Sequence, residues 1–498
     1  MTVVNASNGD GQNLRVSSGI AGLDDVLNGG FPSNHLYLVE GDPGTGKTTM
    51  ALQFLLEGVR LGESCLYVTL SESNRELEGV AESHGWTLHR IPVFEMTPQD
   101  EAINPEGEYT VFHPSDVELA DTTASVLRQV DKVQPTRVVF DSLSELRMLA
   151  REPLRYRRQI LGLKRYFAGR NCTVLLLDDR TAEGHDLQLQ SIAHGVIMMQ
   201  SLDREFGVKR RRLEVRKLRG SRFREGYHDY SIDTGGVTVF PRLVASEHAP
   251  GHNMAPVSSG IKELDQLVGG GLDSGTTTLL MGPAGCGKSS VAARYAAAAA
   301  ERGESSAIFI FDETLTTYLH RSAGLGIEIA GPLRAGKISL HQVDPAEIAP
   351  GHFVHQVRKL VEDGRISVLV IDSLNGFLNA MPGETFLMLQ LHELLSYLNQ
   401  QGVTTIFTLA QHGLLGTAMD SPIDVSYLAD SVLLFRFYEL KGELRQALSV
   451  VKKRSGKHER TIRALTFDSG RLSLGPPLSD YRGIMTGVPQ PATEDAGY

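Results

Sequence analysis

The sequence predicts an α/β protein that builds one fold twice: two tandem P-loop domains, each a mostly parallel twisted sheet flanked by helices and closed by a β-hairpin region. Three observations predict it. The 498-residue chain repeats itself internally. Each copy alternates short apolar strands with helical stretches, the pattern of a sheet covered on both faces. Each copy also carries a glycine-rich loop between a strand and a helix.

The repeat sets the domains. Ser17-Ser18-Gly19-Ile20 through Leu23-Asp24 returns as Ser258-Ser259-Gly260-Ile261 through Leu264-Asp265. Lys47 returns as Lys288 and Glu72 as Glu313, both at an offset of 241, so no net insertion separates them. Asp141 and Asp372 lie 231 apart and Arg219 and Arg454 lie 235 apart, which confines length changes to later loops. A unit of roughly 240 residues is too long for a solenoid repeat, so each copy owns a complete core. The expected domains are 1–246 and 257–488, joined by a linker at 247–256 and followed by a mobile tail at 489–498.

In the first copy Leu36–Glu40 reads as a strand and Thr48–Leu61 as a helix, with further strands at Ser64–Leu70, Arg137–Phe140 and Thr173–Leu177. The second copy repeats them at Thr277–Met281, Ser306–Phe311, Ser367–Ile371 and Thr404–Leu409. Alternation and Asp/Gly turns then predict hairpins over Arg211–Phe240 and Gln446–Leu474.

Composition narrows the function classes. Lys plus Arg number 49 against 59 Asp plus Glu, a formal charge of −10, which speaks against a nucleic-acid coat that needs phosphate-neutralising cations. The longest apolar runs, such as Val174–Leu177 and Ala296–Ala300, are far shorter than the ~20 residues that cross a bilayer. The polar first residues do not read as a secretory signal, so the expected compartment is the cytoplasm. Cys65, Cys172 and Cys286 form no CxxC pair, and neither disulfides nor zinc are implied.

Gly41-Asp42-Pro43-Gly44-Thr45-Gly46-Lys47-Thr48 and Gly282-Pro283-Ala284-Gly285-Cys286-Gly287-Lys288-Ser289 both fit G-x-x-x-x-G-K-[ST]. In such a loop amide N–H groups wrap a phosphate at a helix N-terminus. The candidate nucleotide-binding residues are therefore Gly44, Thr45, Gly46, Lys47, Thr48 and Thr49, and Gly285, Cys286, Gly287, Lys288, Ser289 and Ser290. Thr48 and Ser289 are candidate Mg²⁺ ligands, with Asp141 and Asp372 at the ends of apolar strands holding the ion through its water shell. Cys286 reads as a small filler rather than a nucleophile.

The strand after each P-loop helix ends in acids, Ser71-Glu72 in the first copy and Asp312-Glu313 in the second. In a parallel sheet these strand ends face the crevice that holds the ligand. Glu72, Asp312 and Glu313 are thus candidate bases for the attacking oxygen, a role typically worth about 10²–10⁴-fold; capping of the following helix is the alternative. Late in each copy, Lys217-Leu218-Arg219 and Lys452-Lys453-Arg454 place their outer basic residues on one strand face, where they reach phosphates or simply meet solvent.

Taken together these residues resemble the KaiC family of tandem RecA-like ATPases. The resemblance covers nearly the whole chain, including Glu225-Gly226, Phe240-Pro241, Glu439-Leu440-Lys441-Gly442-Glu443 and Arg482-Gly483-Ile484-Met485-Thr486-Gly487. It implies ATP and Mg²⁺ as ligands and a homohexamer of two stacked rings with nucleotide between protomers. It implies that Lys217, Leu218, Arg219, Lys452 and Arg454 touch the ATP of the adjacent subunit. It also places Ser426-Tyr427 where clock members carry a Ser-Thr phosphoacceptor pair. Ser71 departs from the family's paired glutamates, and Asp312 shortens the first acid of the second pair.

The leading expectation is a hexameric ATPase whose second domain phosphorylates itself at Ser426, in a signalling or timing role with protein partners. A DNA-dependent motor or recombinase and a slowly hydrolysing nucleotide-gated scaffold are the alternatives.

Overall fold

A computed structural model describes residues 14–96, 114–150, 152–179, 187–203, 207–248, 254–344, 346–379, 387–411, 425–468, 470–486 and 489–492. The chain divides into two compact units, Met1–Arg242 and Leu243–Tyr498. Leu243 and Ala245 pack into the core of the second unit, and the Ala245 amide donates to Glu393 Oε2 at 2.9 Å. Of the segment expected to be a mobile tail, Gln490–Pro491 pairs with Tyr481–Arg482, and 493–498 lie outside the described residues.

Among the described residues the first unit's sheet has nine strands: β1 (Leu36–Gly41), β2 (Cys65–Thr69), β3 (Val93–Glu95), β4 (Arg137–Asp141), β5 (Thr173–Asp179), β6 (Gly195–Leu202), β7 (Arg210–Leu218), β8 (Tyr227–Asp233) and β9 (Gly236–Phe240). Their order is β3-β2-β4-β5-β1-β6-β7-β8-β9. The first six are parallel, and β6 onward is an antiparallel meander.

The second unit repeats this with β10 (Thr277–Gly282), β11 (Ser305–Ile310), β12 (Ile338–Gln342), β13 (Ile366–Asp372), β14 (Thr404–Ala410), β15 (Ser431–Leu440), β16 (Glu443–Lys453), β17 (Arg463–Asp468) and β18 (Arg471–Pro477). The order is β12-β11-β13-β14-β10-β15-β16-β17-β18, the same topology. These are tandem RecA-like α/β units. The sheets are wider than the sequence pattern suggested, because β3, β6, β12 and β15 join them as well.

Both faces of each sheet are covered, which is why the central strands are apolar without alternation. In β1, Tyr37 and Val39 face the core under the P-loop helix, while Leu36 and Leu38 face a second core on the other side. In β10, Leu280 and Leu279 divide the same way.

The entry motif has a structural reason. Asp24 accepts from the Ser18 amide and from Ser17 Oγ, each at 2.8 Å, and Asp265 accepts from the Ser259 amide at 2.8 Å and Ser258 Oγ at 2.5 Å. Each aspartate thereby satisfies groups of the turn that opens its unit.

Arg137, at the start of β4, is fully buried. It pairs with Glu63 at 2.5 Å and donates to the carbonyls of Ser17 and Phe54, both at 2.8 Å. Arg137→Leu leaves those carbonyls unsatisfied and should cost the first unit about 3 kcal/mol. Urea unfolding followed by hydrogen exchange should show the loss in the first unit with the second unit unchanged.

Candidate functional site

The P-loops lie between β1 and helix Lys47–Arg60, and between β10 and helix Lys288–Glu301. Gly46 and Gly287 precede the helices with φ of +90° and +100°, a region closed to most side chains. A Cβ on Gly46 would also lie 2.5 Å from Ile232 Cδ1, and one on Gly287 would lie 2.5 Å from Phe467 Cζ. The late hairpins therefore pack directly on the P-loops. In the first unit the Tyr230 hydroxyl also donates to the Thr45 carbonyl at 2.7 Å. Gly44 and Gly285 stay exposed, whereas Thr45, Thr49, Ser290 and Cys286 are buried. Burial pushes the Cys286 thiol up, consistent with a filler.

Lys47 Nζ donates to the Gly41 carbonyl at 2.8 Å and the Asp42 carbonyl at 3.1 Å, and pairs with Asp179 Oδ1 at 2.6 Å. Lys288 Nζ donates to the Gly282 carbonyl at 2.8 Å and the Pro283 carbonyl at 2.6 Å. Strand register places Asp179 beside Gly41 and Ala410 beside Gly282, so only the first lysine has this carboxylate partner.

The hydroxyl and the strand-end aspartate meet in both units. Thr48 Oγ1 donates to Asp141 Oδ2 at 3.0 Å, and Ser289 Oγ donates to Asp372 Oδ1 at 2.9 Å. A second hydroxyl also reaches each aspartate, Tyr67 at 2.5 Å in the first unit and Thr408 at 2.6 Å in the second. Burial pushes both aspartates above the usual carboxylate range. An all-oxygen donor set of this kind, with buried negative charge, fits a hard cation such as Mg²⁺.

Glu72 lies just beyond the end of β2, where Thr69 Oγ1 donates to the Glu72 carbonyl at 2.6 Å and accepts from its amide at 2.9 Å. Its Oε2 is buried and has no hydrogen-bond partner among the described residues. Burial, followed by the charge of Asp141, raises its carboxyl to about 7, and Lys47 opposes the shift. In the second unit Asp312 Oδ2 accepts from Ser373 Oγ, and Glu313 Oε1 pairs with Arg321 at 2.6 Å. The capping alternative falls to the next residue in each copy: the Ser73 and Thr314 side chains accept from the amides of Glu76 and Thr317.

The basic triplets alternate as expected. Lys217 Nζ donates to the Gln190 carbonyl and Arg219 Nη2 to the Ser191 carbonyl, the latter at 2.7 Å. Lys452 Nζ donates to the Ser426 carbonyl at 2.9 Å and Arg454 Nη2 to the Tyr427 carbonyl at 3.0 Å. Lys453 points the other way, to the Val268 carbonyl at 2.6 Å. The Leu218 side chain belongs to its own core, leaving only its backbone for a nucleotide. Gln190 and Ser426 thus occupy matching places, with Ser426 half-buried and Tyr427 exposed. Nearby, Lys209 pairs with Asp203 at 3.0 Å, Arg210 pairs with Asp229 at 3.3 Å, and the Arg212 guanidinium lies 3.9 Å from the Tyr227 ring centroid.

Sequence reasoning missed Tyr67, Thr408, Tyr230, Asp179, Ser373 and Arg321. Asp179 and Arg321 were within reach of the repeat, because the other copy carries Ala410 and Val80 at those places.

No helix among the described residues is long and apolar enough to cross a membrane. A family model described as "ATPase: KaiC" matches residues 16–244 and again 257–476. The circadian clock oscillator protein KaiC of Picosynechococcus sp. is 25% identical over 94% of this chain and 91% of its own length. Circadian clock protein KaiC3 of Synechocystis sp. is 25% identical over 95% of this chain and 94% of its own. The oscillator protein KaiC of Parathermosynechococcus lividus is 26% identical over 95% and 87%. With one match on each of its two RecA-like units, the chain belongs to the KaiC ATPase family.

Proposed function

We propose that the protein is a homohexameric ATPase that binds ATP and Mg²⁺ at both P-loops and hydrolyses ATP chiefly in the first domain. The observation that carries this reading is Glu72 Oε2, a buried carboxylate oxygen with no hydrogen-bond partner among the described residues, just beyond the end of the strand that pairs with the Asp141 strand. Gly44 to Thr49 and Gly285 to Ser290 would hold the phosphates, and Thr48 with Asp141, and Ser289 with Asp372, would hold Mg²⁺. Bound Mg²⁺ supplies charge neutralisation on the phosphate oxygens. Glu72 takes the proton of the attacking water as the new O–P bond forms and the bond to ADP breaks. A carboxyl poised near neutrality suits that task, being both available as a base and strong enough to hold the proton. Lys217 and Arg219, with Lys452 and Arg454, would reach the nucleotide of the adjacent subunit in two stacked rings. The expected setting is cytoplasmic signalling with protein partners.

The second domain, on this reading, transfers a phosphoryl group to Ser426 of a neighbouring protomer, with Asp312 accepting the serine proton. Ser426 has a hydroxyl where the first copy has Gln190, whose amide instead donates to Glu40 at 2.8 Å. Incubation with ATP-Mg²⁺ and phosphopeptide mapping should find phosphate on Ser426, none on Tyr427, and a loss of roughly tenfold or more in Asp312→Asn. No phosphate on Ser426, or an equal amount in Asp312→Asn, would remove the kinase and leave an ATPase. Turnover measured with and without DNA tests the motor reading, for which stimulation by DNA is required.

A further inference from the structure

The two units differ at the second acid of the strand end. In the first, Glu72 Oε2 has no hydrogen-bond partner among the described residues. In the second, Arg321 Nη2 stands 2.6 Å from Glu313 Oε1, and its Nη1 donates to Ser290 Oγ at 3.3 Å. The guanidinium also lies 4.9 Å from the Tyr318 ring centroid. Arg321 and Tyr318 belong to helix Leu315–Gly324, and the repeat puts Val80 and Leu77 at their places in helix Asn74–Ser83. None of the three contacts can form in the first unit. The arginine bridges the strand end to the P-loop helix, one residue beyond Ser289.

We propose that Arg321 is a built-in restraint on hydrolysis in the second domain, holding the Glu313 carboxylate on a guanidinium rather than on the attacking water. The inference rests on the ATPase reading above. When water attacks the γ-phosphorus, an O–P bond forms, the bond to ADP breaks, and one water proton passes to a carboxylate. A carboxylate that accepts this proton loses its charge and with it the attraction to Arg321, so the ion pair opposes the step. Glu313 also has fewer free lone pairs with which to orient the water. The consequence is a division of labour: the first domain turns ATP over, while the second keeps its triphosphate intact for assembly and for phosphoryl transfer. Arg321 is therefore a positioning residue that acts through Glu313.

The test uses the full chain carrying Glu72→Gln, which lowers the first site's contribution to turnover. Adding Arg321→Val, the residue of the first copy, should raise kcat for ATP on the order of tenfold, within the range for freeing a general base. KM should change less than about twofold, because Arg321 is not asked to bind substrate. Arg321→Gln, which keeps much of the side chain's bulk, should raise kcat in the same direction, and Arg321→Lys should return most of the restraint. If kcat is unchanged or lower in both the Val and Gln variants while both sites retain nucleotide, the restraint does not exist. A raised KM with lowered kcat would mean that Arg321 grips the phosphates, and overturns the proposal equally. Failure of the ATPase reading looks different: the unmodified chain would then show no turnover at all.

Discussion

Glu72→Gln should lower ATP turnover at the first site by roughly tenfold or more, the usual scale for removing a general base. The substitution keeps size and hydrogen-bonding capacity, so the Thr69 contacts that fix the backbone of residue 72 survive. Ser71 cannot substitute, because a hydroxyl is no base near neutral pH. Steady-state turnover of the chain carrying Glu313→Gln isolates the first site, and turnover unchanged by adding Glu72→Gln would retire the assignment.

The same carboxyl sets a pH dependence. Its value is raised from 4.5 to about 7 by burial and by Asp141, and only the ionised form can take a proton. First-site kcat/KM should therefore rise through pH 7 and level off above it, a limb missing from the residual activity of Glu72→Gln. Stability runs the other way. A folded-state value above the unfolded one means the folded chain binds the proton more tightly, so this group costs nothing below pH 4.5 and its full penalty above 7. With solvent screening, that penalty is about 1–2 kcal/mol. Glu72→Gln should stabilise the first unit at pH 8 and leave it unchanged at pH 4, the exchange of stability for activity common at catalytic residues.

The repeat made the fold class and the loops legible in the sequence because both rest on local chemistry: glycines at positive φ, a lysine at a helix start, aspartates ending apolar strands. What stayed hidden depends on strands brought together from far apart. Tyr67 and Thr408 reach the two aspartates from opposite neighbouring strands, so no shared motif marks them. Strands β6 and β15 carry polar residues such as Gln200 and Arg436, so their pattern alone did not mark them as sheet members. Ile232 and Phe467 pack on the P-loop glycines from hairpins nearly two hundred residues away in sequence. The difference between Glu72 and Glu313 does not show in the motif they share, because the partner that separates them, Arg321, lies two helical turns further on.

Lys47→Ala should dissolve the proposed hexamer more completely than Lys288→Ala. Nucleotide bound between protomers stabilises only the assembled ring, by about 2.7 kcal/mol per site at a hundredfold excess over Kd, so a lost site weakens assembly by mass action. The two lysines stand among different charges. Around the first P-loop the carboxylates of Asp179, Glu72 and Asp141 all act on one another, and Lys47 is the cation that opposes them. Removing it leaves the triphosphate facing three acids without the lysine that opposes them. In the second unit Ala410 stands where Asp179 would be, and Arg321 remains close enough to act on Asp372 when Lys288 is gone. Light scattering across an ATP titration should show Lys47→Ala as mostly dissociated where Lys288→Ala still forms rings at higher ATP. Equal ring fractions for the two variants, with and without ATP, would mean that the acids around Lys47 do not govern nucleotide affinity.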